Sequence, residues 1–320
     1  MAKSTTKLDV PGYEVLEYLG AGARSTIWRV RDRRTERVSA VKWVMRHEGD
    51  DDRFFEQAIN EVAVARSMDH VAIRKVFRML RLRRWFRTQA LLLFMECCDG
   101  DSCQTRPPSG IAEIMRVFTV AAQALAYMHS SGYVHADIKP NNIIVAPDAT
   151  VKIIDLGQSC RIGTVKSRIQ GTPDFIAPEQ VWLRPLDGRT DVFNLGAALY
   201  WTLTGQAIPT VLPKSNEGIL LLSDLHVASP ETLNPEVPIA LSRLVMDCIE
   251  PQPTRRPESM RDVVARLEII AHSLNRRDHK AVPDPDTGVP KPGTSGEASK
   301  RDESRLEPPM GAPPGLGAPE

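Results

Sequence analysis

Two short runs of β-branched residues constrain the fold of this chain more than any other feature of its sequence. Residues 143–145 and 151–154 have strand composition, and a Pro-Asp pair between them supplies turn geometry. Such an antiparallel hairpin brings Asn142, before its first strand, to the same end as Asp155, after its second. An amide oxygen and a carboxylate are hard ligands of the kind that Mg²⁺ accepts. With Asp137 and Lys139 directly upstream, the hairpin predicts a metal site beside an acid and a cation.

A second phosphate-related pattern lies near the N-terminus. Residues 20–25 carry Gly20 and Gly22 between two strand-like stretches. Glycines at a hairpin tip let backbone N–H groups approach phosphates without obstruction by a Cβ atom. The following strand places Ala40 and Lys42 on one face, because side chains alternate along a strand. A small side chain beside a flat ring and a lysine within reach of phosphates are what a nucleotide cleft needs.

Together these segments resemble the eukaryotic-type (Hanks-type) serine/threonine protein kinase family. The catalytic-loop pattern H-R-D-L-K-x-x-N of that family reads H-A-D-I-K-P-N-N at residues 135–142, and D-F-G reads D-L-G at residues 155–157. The family's V-A-I-K is similar to residues 38–43. Residues 171–179 resemble G-T-P-x-Y-x-A-P-E, and residues 253–257 resemble P-x-x-R-P.

The resemblance implies an α+β, bilobal protein-kinase-like fold with the active site in the cleft between the lobes. The β-rich N-lobe with one helix would cover residues 13–95, the hinge 96–101, and the larger, mainly α-helical C-lobe 102–275. Residues 1–12 would form an N-terminal extension. Residues 276–320 are rich in Pro, Gly and Ser and cannot bury enough apolar area to offset their ordering entropy, so we expect a disordered tail.

The resemblance also implies catalytic roles. Asp137 would accept or orient the proton of the attacking hydroxyl, and Lys139 would neutralise the transferred phosphoryl group. Lys42 would orient the α- and β-phosphates, held by Glu61 on the helix expected at residues 54–68. Glu56, earlier on that helix, is the alternative partner of the lysine. The apolar face of the helix is predicted to include Phe55, Ile59, Val62 and Ala63.

ATP and Mg²⁺ are the implied cofactors, with Mn²⁺ as the alternative ion. The metal ligands would be Asn142 and Asp155. Backbone groups of the hinge would hold the adenine edge, with Met95 at the back of the pocket. The residues expected to contact the nucleotide are Leu19, Gly20, Ala21, Gly22, Ser25, Ile27, Ala40, Lys42, Met95, Glu96, Cys98, Asp101 and Ile144.

Two further pairings are architectural. By the resemblance, Arg256 pairs with Glu179 as a clamp between distant segments, and we assign it no catalytic role. Residues 190–200 are apolar nearly all round, as expected of a helix buried through a lobe. Asp191 at the start of that helix is placed to accept backbone N–H bonds, plausibly from the catalytic loop.

One departure from the family pattern bears on regulation. Kinases with arginine before the catalytic aspartate typically use it to receive a phosphate on the activation segment, but this chain has Ala136, which has no donor on its side chain. We therefore expect activity that does not require a phosphate docked at this position. Ser159, Thr164 and Ser167 are the candidate autophosphorylation sites.

Composition limits the remaining function classes. A hydrophobic fraction of 42% and a charged fraction of 25% exclude a chain disordered throughout. The first residues lack the apolar core of a signal peptide. Five cysteines, an odd number with no C-x-x-C, indicate neither a disulfide framework nor a zinc site. We expect a soluble, cytoplasmic protein with reduced cysteines.

Basic residues crowd one stretch of the predicted N-lobe, residues 74–87. They can belong to solvated strand faces, which we favour, or to a surface for an acidic protein partner. No series of aromatic residues accompanies the charge apart from Trp85 and Phe86, so no nucleic acid is expected, and no membrane. The basic residues are Arg74, Lys75, Arg78, Arg81, Arg83, Arg84 and Arg87.

The sequence thus predicts an enzyme, a non-specific serine/threonine protein kinase that transfers the γ-phosphoryl group of Mg-ATP to protein hydroxyls, its own included. A pseudokinase that binds ATP without turnover is the alternative. The departures that favour it are Ser25, Ala136 and Leu156, and none removes a metal ligand or the base. A small-molecule phosphotransferase is third, disfavoured because the peptide-binding segment through residues 177–179 is intact.

Overall fold

The computed structural model of the chain describes residues 8–22, 24–46, 52–209 and 227–281. Its described elements lie in one compact unit that ends at Arg277, except for the last turn of the final helix. From residue 282 onward the predicted tail lies outside the described residues.

The N-terminal lobe is an antiparallel sheet with one helix. Strand order is β1-β2-β3-β5-β4, and the helix α1 connects β3 to β4. The sheet matches the predicted β-rich N-lobe, and its β1–β2 hairpin carries the glycines. The bounds are β1 Tyr13–Ala21, β2 Ser25–Asp32, β3 Val38–Met45, α1 Arg53–Arg66, β4 Val76–Arg84 and β5 Arg87–Met95.

Residues before β1 contribute to this lobe. Leu8 and Val10 are buried and pack with Val41 and Phe94 on one face of the sheet. The end of the predicted N-terminal extension, residues 1–12, therefore packs on the N-lobe, because apolar side chains at positions 8 and 10 cover a sheet face that would otherwise meet water.

The buried face of α1 differs from the prediction. Phe55 and Val62 are buried as expected, but Ile59 and Ala63 are exposed. The helix packs on the sheet and also on the 3₁₀ turn Leu156–Gln158. This second contact turns a polar residue, Glu61, into the interior, which an apolar periodicity alone does not predict.

The C-terminal lobe is mainly helical, as predicted. Two small sheets, β6-β8-β9 and β7-β10, lie on the side that carries the catalytic loop. The bounds are β6 Asp101–Ser102, α2 Ile111–Ser130, β7 Tyr133–Val134, β8 Ile143–Val145, β9 Val151–Ile153, β10 Cys160–Arg161, α3 Pro178–Val181, α4 Gly188–Thr204, α5 Pro230–Leu233, α6 Ile239–Cys248 and α7 Met260–Ala281.

The helix α4 is the buried centre of this lobe. Its residues from Thr190 to Tyr200 are all buried, which confirms the predicted core helix. Asp187 caps it by accepting a hydrogen bond from the backbone N–H of Arg189 at 2.8 Å. Gly205 ends it with φ of +71°, a left-handed conformation that glycine adopts without steric cost.

Two long helices flank this core. Among the described residues, α2 alone has the length and apolar composition to cross a membrane, and half of that stretch is buried inside the protein, as in a core helix. The last helix, α7, ends at Ala281 rather than before residue 276, so the predicted boundary of the tail is too early.

The hairpin predicted from residues 143–154 is present, with its second strand ending at Ile153. Ile143 pairs with Ile153, and Val145 with Val151, in antiparallel register. Ile153 also bridges to the N-terminal lobe, since the backbone N–H of Arg74 donates to its carbonyl oxygen at 3.0 Å. The hairpin therefore connects the metal-site segment directly to the lobe that carries Lys42.

Candidate active site

Lys42 joins three elements of the two lobes. From β3, its Nζ lies 2.7 Å from Oε2 of Glu61 on α1 and 3.2 Å from Oδ1 of Asp155. The predicted ion pair with Glu61 is present. Glu56, the alternative partner, is exposed on the other side of the helix.

The charges around this lysine are mutually stabilising. Burial by itself lowers the pKa of Lys42, but the carboxylates of Asp155 and Glu61 outweigh it and hold that pKa well above its usual range. The Lys42 ammonium in turn keeps the pKa of Asp155 well below its usual range, against the effect of burial. Lys42 and Asp155 are therefore both charged at neutral pH, which is the state in which they can bind a phosphate and a metal ion.

The predicted metal ligands both line one cavity of about 260 Å³. Asn142 donates through Nδ2 to the carbonyl oxygen of Asp137 at 2.8 Å, which leaves its amide oxygen as the metal-facing acceptor. Asp155 has φ of +64°, a left-handed backbone that points its carboxylate into the cavity. One carboxylate and one amide fit Mg²⁺, which completes its shell with water and substrate phosphates. In the described residues no cluster of three or more Asp, Glu, His or Cys is present.

The catalytic loop contains a closed triangle of hydrogen bonds. Lys139 donates from Nζ to Oδ2 of Asp137 at 3.0 Å and to the hydroxyl of Thr172 at 2.7 Å. Thr172 completes the triangle by donating to Oδ1 of Asp137 at 2.9 Å. Both oxygens of a carboxylate that is only 5% exposed are thus oriented by the activation segment and by the lysine.

The backbone of this loop is fixed from α4. The N–H groups of His135 and Ala136 each donate to the carboxylate of Asp191 at 2.8 Å, as predicted. His129 adds a 2.8 Å contact to Asp191. Although burial raises the pKa of Asp191, these hydrogen bonds and the histidines bring it below its usual value. Asp191 is therefore ionised and anchors the loop.

The position of Ala136 has an apolar environment. The residue has φ of +62° and is buried with Val134 and Leu186, and the half-buried Cys160 packs against them. Its carbonyl oxygen accepts a hydrogen bond from Gln180 at 2.8 Å. An apolar cluster therefore occupies the place where the resemblance leads one to expect an arginine and its phosphate.

The nucleotide-side residues separate into two groups. Ala21, Gly22, Ser25 and Ile27 line the same cavity as Lys42. The backbone N–H of Gly22 donates to the carbonyl oxygen of Ser25 at 2.8 Å and closes the tip, although Ser25 replaces the third glycine of the kinase glycine-loop pattern G-x-G-x-x-G.

The predicted adenine-side residues do not line that cavity. Ala40 and Met95 are buried and face each other as neighbouring strand residues, and Leu19 is exposed at the rim of β1. Glu96, Cys98 and Ile144 line a cavity of about 460 Å³ along the hinge, where Glu96 pairs with Lys152 at 2.6 Å. Gly20 lies in β1 opposite Ile27, and Asp101 lines a third cavity.

The predicted clamp is present and complete. Arg256 binds Glu179 with both ends of its guanidinium, Nη1 to Oε1 at 2.7 Å and Nη2 to Oε2 at 2.9 Å. Its other three N–H groups donate to the carbonyl oxygens of Arg189, Glu250 and Pro251. All five donors of this buried arginine are satisfied, which is the condition for a stabilising buried ion pair.

Comparison with known proteins agrees with this geometry. The family model for the protein kinase domain matches residues 13–267. The chain belongs to the protein kinase family. A probable serine/threonine-protein kinase of Clostridium acetobutylicum is 26% identical over 84% of this chain and 41% of its own length. The serine/threonine-protein kinase PknB of Mycobacterium tuberculosis is 31% identical over 61% of this chain and 32% of its own length. The kinase chain thus spans less than half the length of these relatives.

The family match confirms the predicted bilobal α+β fold and the Hanks-type resemblance. The candidate autophosphorylation sites of this kinase differ in access. Ser159 is buried with its hydroxyl against the carbonyl oxygen of His135, so in this conformation it is not accessible. Thr164 is partly buried and donates to the carbonyl oxygen of Arg161, whereas Ser167 is exposed.

Sequence reasoning missed three contributors to the kinase site. Arg74 is buried and lies 3.1 Å from Oε1 of Glu61, so this glutamate is shared by two cations. The sequence pattern predicts Arg74 as one of the exposed basic residues of the stretch 74–87. Asn60, next to Glu61 on α1, donates to the carbonyl oxygens of Gly157 at 3.1 Å and of Ser159 at 2.8 Å. Thr172 was predicted only as part of the segment 171–179, and its hydrogen bonds with Asp137 and Lys139 were not predicted.

Replacing Arg74 by Met keeps the apolar stem and removes the second cation from Glu61. We expect the free energy of unfolding to fall by about 2–3 kcal/mol, because a buried charge-assisted hydrogen bond is lost. Urea unfolding followed by circular dichroism measures this. The exposed Arg83→Met variant is the matched control, expected within about 0.5 kcal/mol of the parent. Equal destabilisation by both changes would contradict the assignment.

Proposed function

We propose that this chain is an ATP-dependent serine/threonine protein kinase. It transfers the γ-phosphoryl group of Mg-ATP to Ser and Thr hydroxyls of proteins, its own among them. The observation that carries the proposal is the position of Lys42, within hydrogen-bond distance of both Glu61 and Asp155 in the cavity that the glycine hairpin covers. This is an arrangement ready for catalysis, with α1 against the metal-binding segment.

The residues divide the work of phosphoryl transfer. Lys42 binds the α- and β-phosphates. Asn142 and Asp155 would hold Mg²⁺, which would supply positive charge against the negative charge that develops during transfer. Asp137 orients the substrate hydroxyl and accepts its proton, and Lys139 neutralises the phosphoryl group in transit. Little covalent chemistry falls to the protein, so positioning and electrostatics supply the rate.

A Ser or Thr hydroxyl as the acceptor is supported by the residues around Asp137. Lys139, two residues after Asp137, and Thr172 of the G-T-P segment both donate to its carboxylate, and this lysine and segment resemble those of serine/threonine kinases more than those of tyrosine kinases. The pseudokinase alternative has no comparable support, since Lys42, Asp137, Asn142 and Asp155 are all in place.

The function is tested by incubating the purified full chain with Mg²⁺ and γ-labelled ATP. We expect incorporation into the protein itself and into a generic basic substrate, with label recovered as phosphoserine and phosphothreonine. Lys42→Met is expected to reduce incorporation to background, because the phosphates lose their cation. Label that is equally strong with Lys42→Met would indicate a contaminating kinase and would leave the proposal without support.

Activity independent of an activation-segment phosphate is the second expectation, motivated by the apolar surroundings of Ala136. Treatment with a phosphatase, followed by its removal, is expected to leave initial turnover nearly unchanged. The exposed Ser167→Ala variant should behave like the parent. Complete loss of turnover after phosphatase treatment, restored by preincubation with ATP, would overturn this expectation.

We also propose a cytoplasmic location for this kinase. All five cysteines are free, which is the state expected in a reducing cytoplasm. Arg74, the first residue of the basic stretch, is buried against Glu61 and is therefore not part of a surface that a partner could contact.

A further inference from the structure

The tip of the β4–β5 hairpin is built from residues that turns normally avoid. Arg84 and Arg87 form the last strand pair, so Trp85 and Phe86 make the two-residue turn between them. Such turns favour Asn and Gly because they require left-handed backbone. Trp85 adopts that conformation with φ of +57°, a strained choice for a bulky residue.

The strained turn does not bury either aromatic ring. Trp85 is 87% exposed and Phe86 is 99% exposed, the two most exposed large apolar residues that the structure describes. Two adjacent aromatic rings held in water at a convex tip are unfavourable for the isolated chain. A structural role within this domain therefore does not account for them.

The surroundings of the rings are strongly basic. Arg81, Arg83, Arg84 and Arg87 are all exposed, and residues 76–95 contain no Asp or Glu. Within the described parts of the chain, none of the four pairs with a carboxylate. Guanidinium groups bind phosphate oxygens in bidentate fashion, so this rim of charge complements an array of phosphate headgroups.

We propose that this hairpin tip docks the domain on an anionic membrane surface. Trp85 and Phe86 insert at the level of the headgroups, where amphipathic aromatic rings are stable, and the arginines bind acidic lipids. A convex, two-ring tip suits a lipid interface, which opens around it, better than a protein surface, which would need a matching pocket. This reverses the sequence-based expectation of no membrane partner.

The position of the tip is compatible with catalysis at the surface. β5 runs from the tip to Met95 at the hinge, roughly 26 Å at the usual rise along a strand. The hinge and the adjoining cleft therefore lie at the far end of the strand from the docked rings. Docking leaves the cavity around Lys42 open to ATP.

The test uses the full chain and vesicles of phosphatidylcholine, with or without phosphatidylserine, in a flotation assay. We expect binding only to the mixed vesicles, weakening as salt is raised. Trp85→Ser with Phe86→Ser is expected to weaken binding at least about tenfold, since two interfacial aromatic anchors are lost. Arg83→Gln with Arg84→Gln should weaken it about tenfold or more, at several-fold per charge. Quenching of tryptophan fluorescence by brominated lipid should disappear in Trp85→Phe.

Ile239→Ser with Ile269→Ser is the matched control, because both side chains are exposed apolar residues away from the tip. It should bind like the parent, and melting temperatures verify that each variant is folded. Equal flotation of the parent and the Trp85→Ser, Phe86→Ser variant would overturn the proposal. So would a chain that ignores the vesicles but binds polyglutamate through the same arginines, which would assign the tip to an acidic protein.

Discussion

Replacing Asp137 by Asn is expected to lower kcat by about 10²–10⁴-fold while the fold and the binding of ATP are retained, the range for loss of a positioned general base. The amide has nearly the shape of the carboxylate but cannot take the hydroxyl proton. It also carries an NH₂ group toward either Lys139 or Thr172, both of which donate to Asp137 in the parent. The substitution therefore disrupts the hydrogen bonds of the triangle and also removes the negative charge at residue 137.

Initial rates of phosphate transfer to a peptide, with ATP titrated separately, measure this effect. The expected signature is a loss in kcat with little change in KM for ATP, because the phosphate and metal contacts proposed for Lys42 and Asp155 do not involve Asp137. Asp69→Asn is the matched control, since Asp69 is exposed and, in the described part of the chain, its carboxylate pairs with Lys75 alone. A parental kcat in Asp137→Asn would remove Asp137 from the chemistry.

The residues of the site were predictable because local pattern fixes them. The β8–β9 hairpin follows from two β-branched runs and a Pro-Asp turn, and its register alone brings Asn142 and Asp155 to one end. Strand alternation places Lys42 on the same face as Ala40, and only the family resemblance then favours a phosphate-binding lysine over a surface lysine. The roles of Glu61 and Arg256 came from the family resemblance, and the structure places each on its expected partner.

What could not be predicted depends on contacts between segments distant in sequence. Arg74 reads as one basic residue among several in its stretch, and only the approach of α1 to β4 makes it a partner of Glu61. A usable signal was present, because Arg74 directly follows Ala72 and Ile73, which are buried. The strained turn at Trp85 also has no sequence signature, since its residues are those that turn chemistry disfavours.

The face of α1 shows the same limit. Apolar periodicity selects Ile59 and Ala63, yet the helix turns Glu61 inward, because pairing with two cations offsets the cost of burying its carboxylate. The spacing of apolar residues does not reveal a helix orientation that is determined by charged residues. The polar residues of the site were therefore predicted from sequence motifs, whereas the residues that surround them were not predicted.

Breaking the clamp is expected to have the largest effect on stability. Arg256→Met leaves the Glu179 carboxylate buried without its partner and leaves three carbonyl oxygens without their donor. Loss of one partner of a buried pair costs about 3–5 kcal/mol, a large share of the roughly 5–15 kcal/mol that holds a domain together. Arg256 also stacks over the ring of Phe193 on α4, at 4.8 Å from its centroid.

Urea unfolding of Arg256→Met and of the double variant Arg256→Met, Glu179→Gln separates the two sources of this loss. If the penalty comes mainly from the orphaned carboxylate, the double variant should recover part of the stability, since no buried charge remains. Arg266→Met is the matched control, because Arg266 pairs with Asp247 near the surface, where an ion pair contributes at most about 1 kcal/mol. A loss in Arg256→Met no greater than that of the control would show that the clamp does not hold the two segments together.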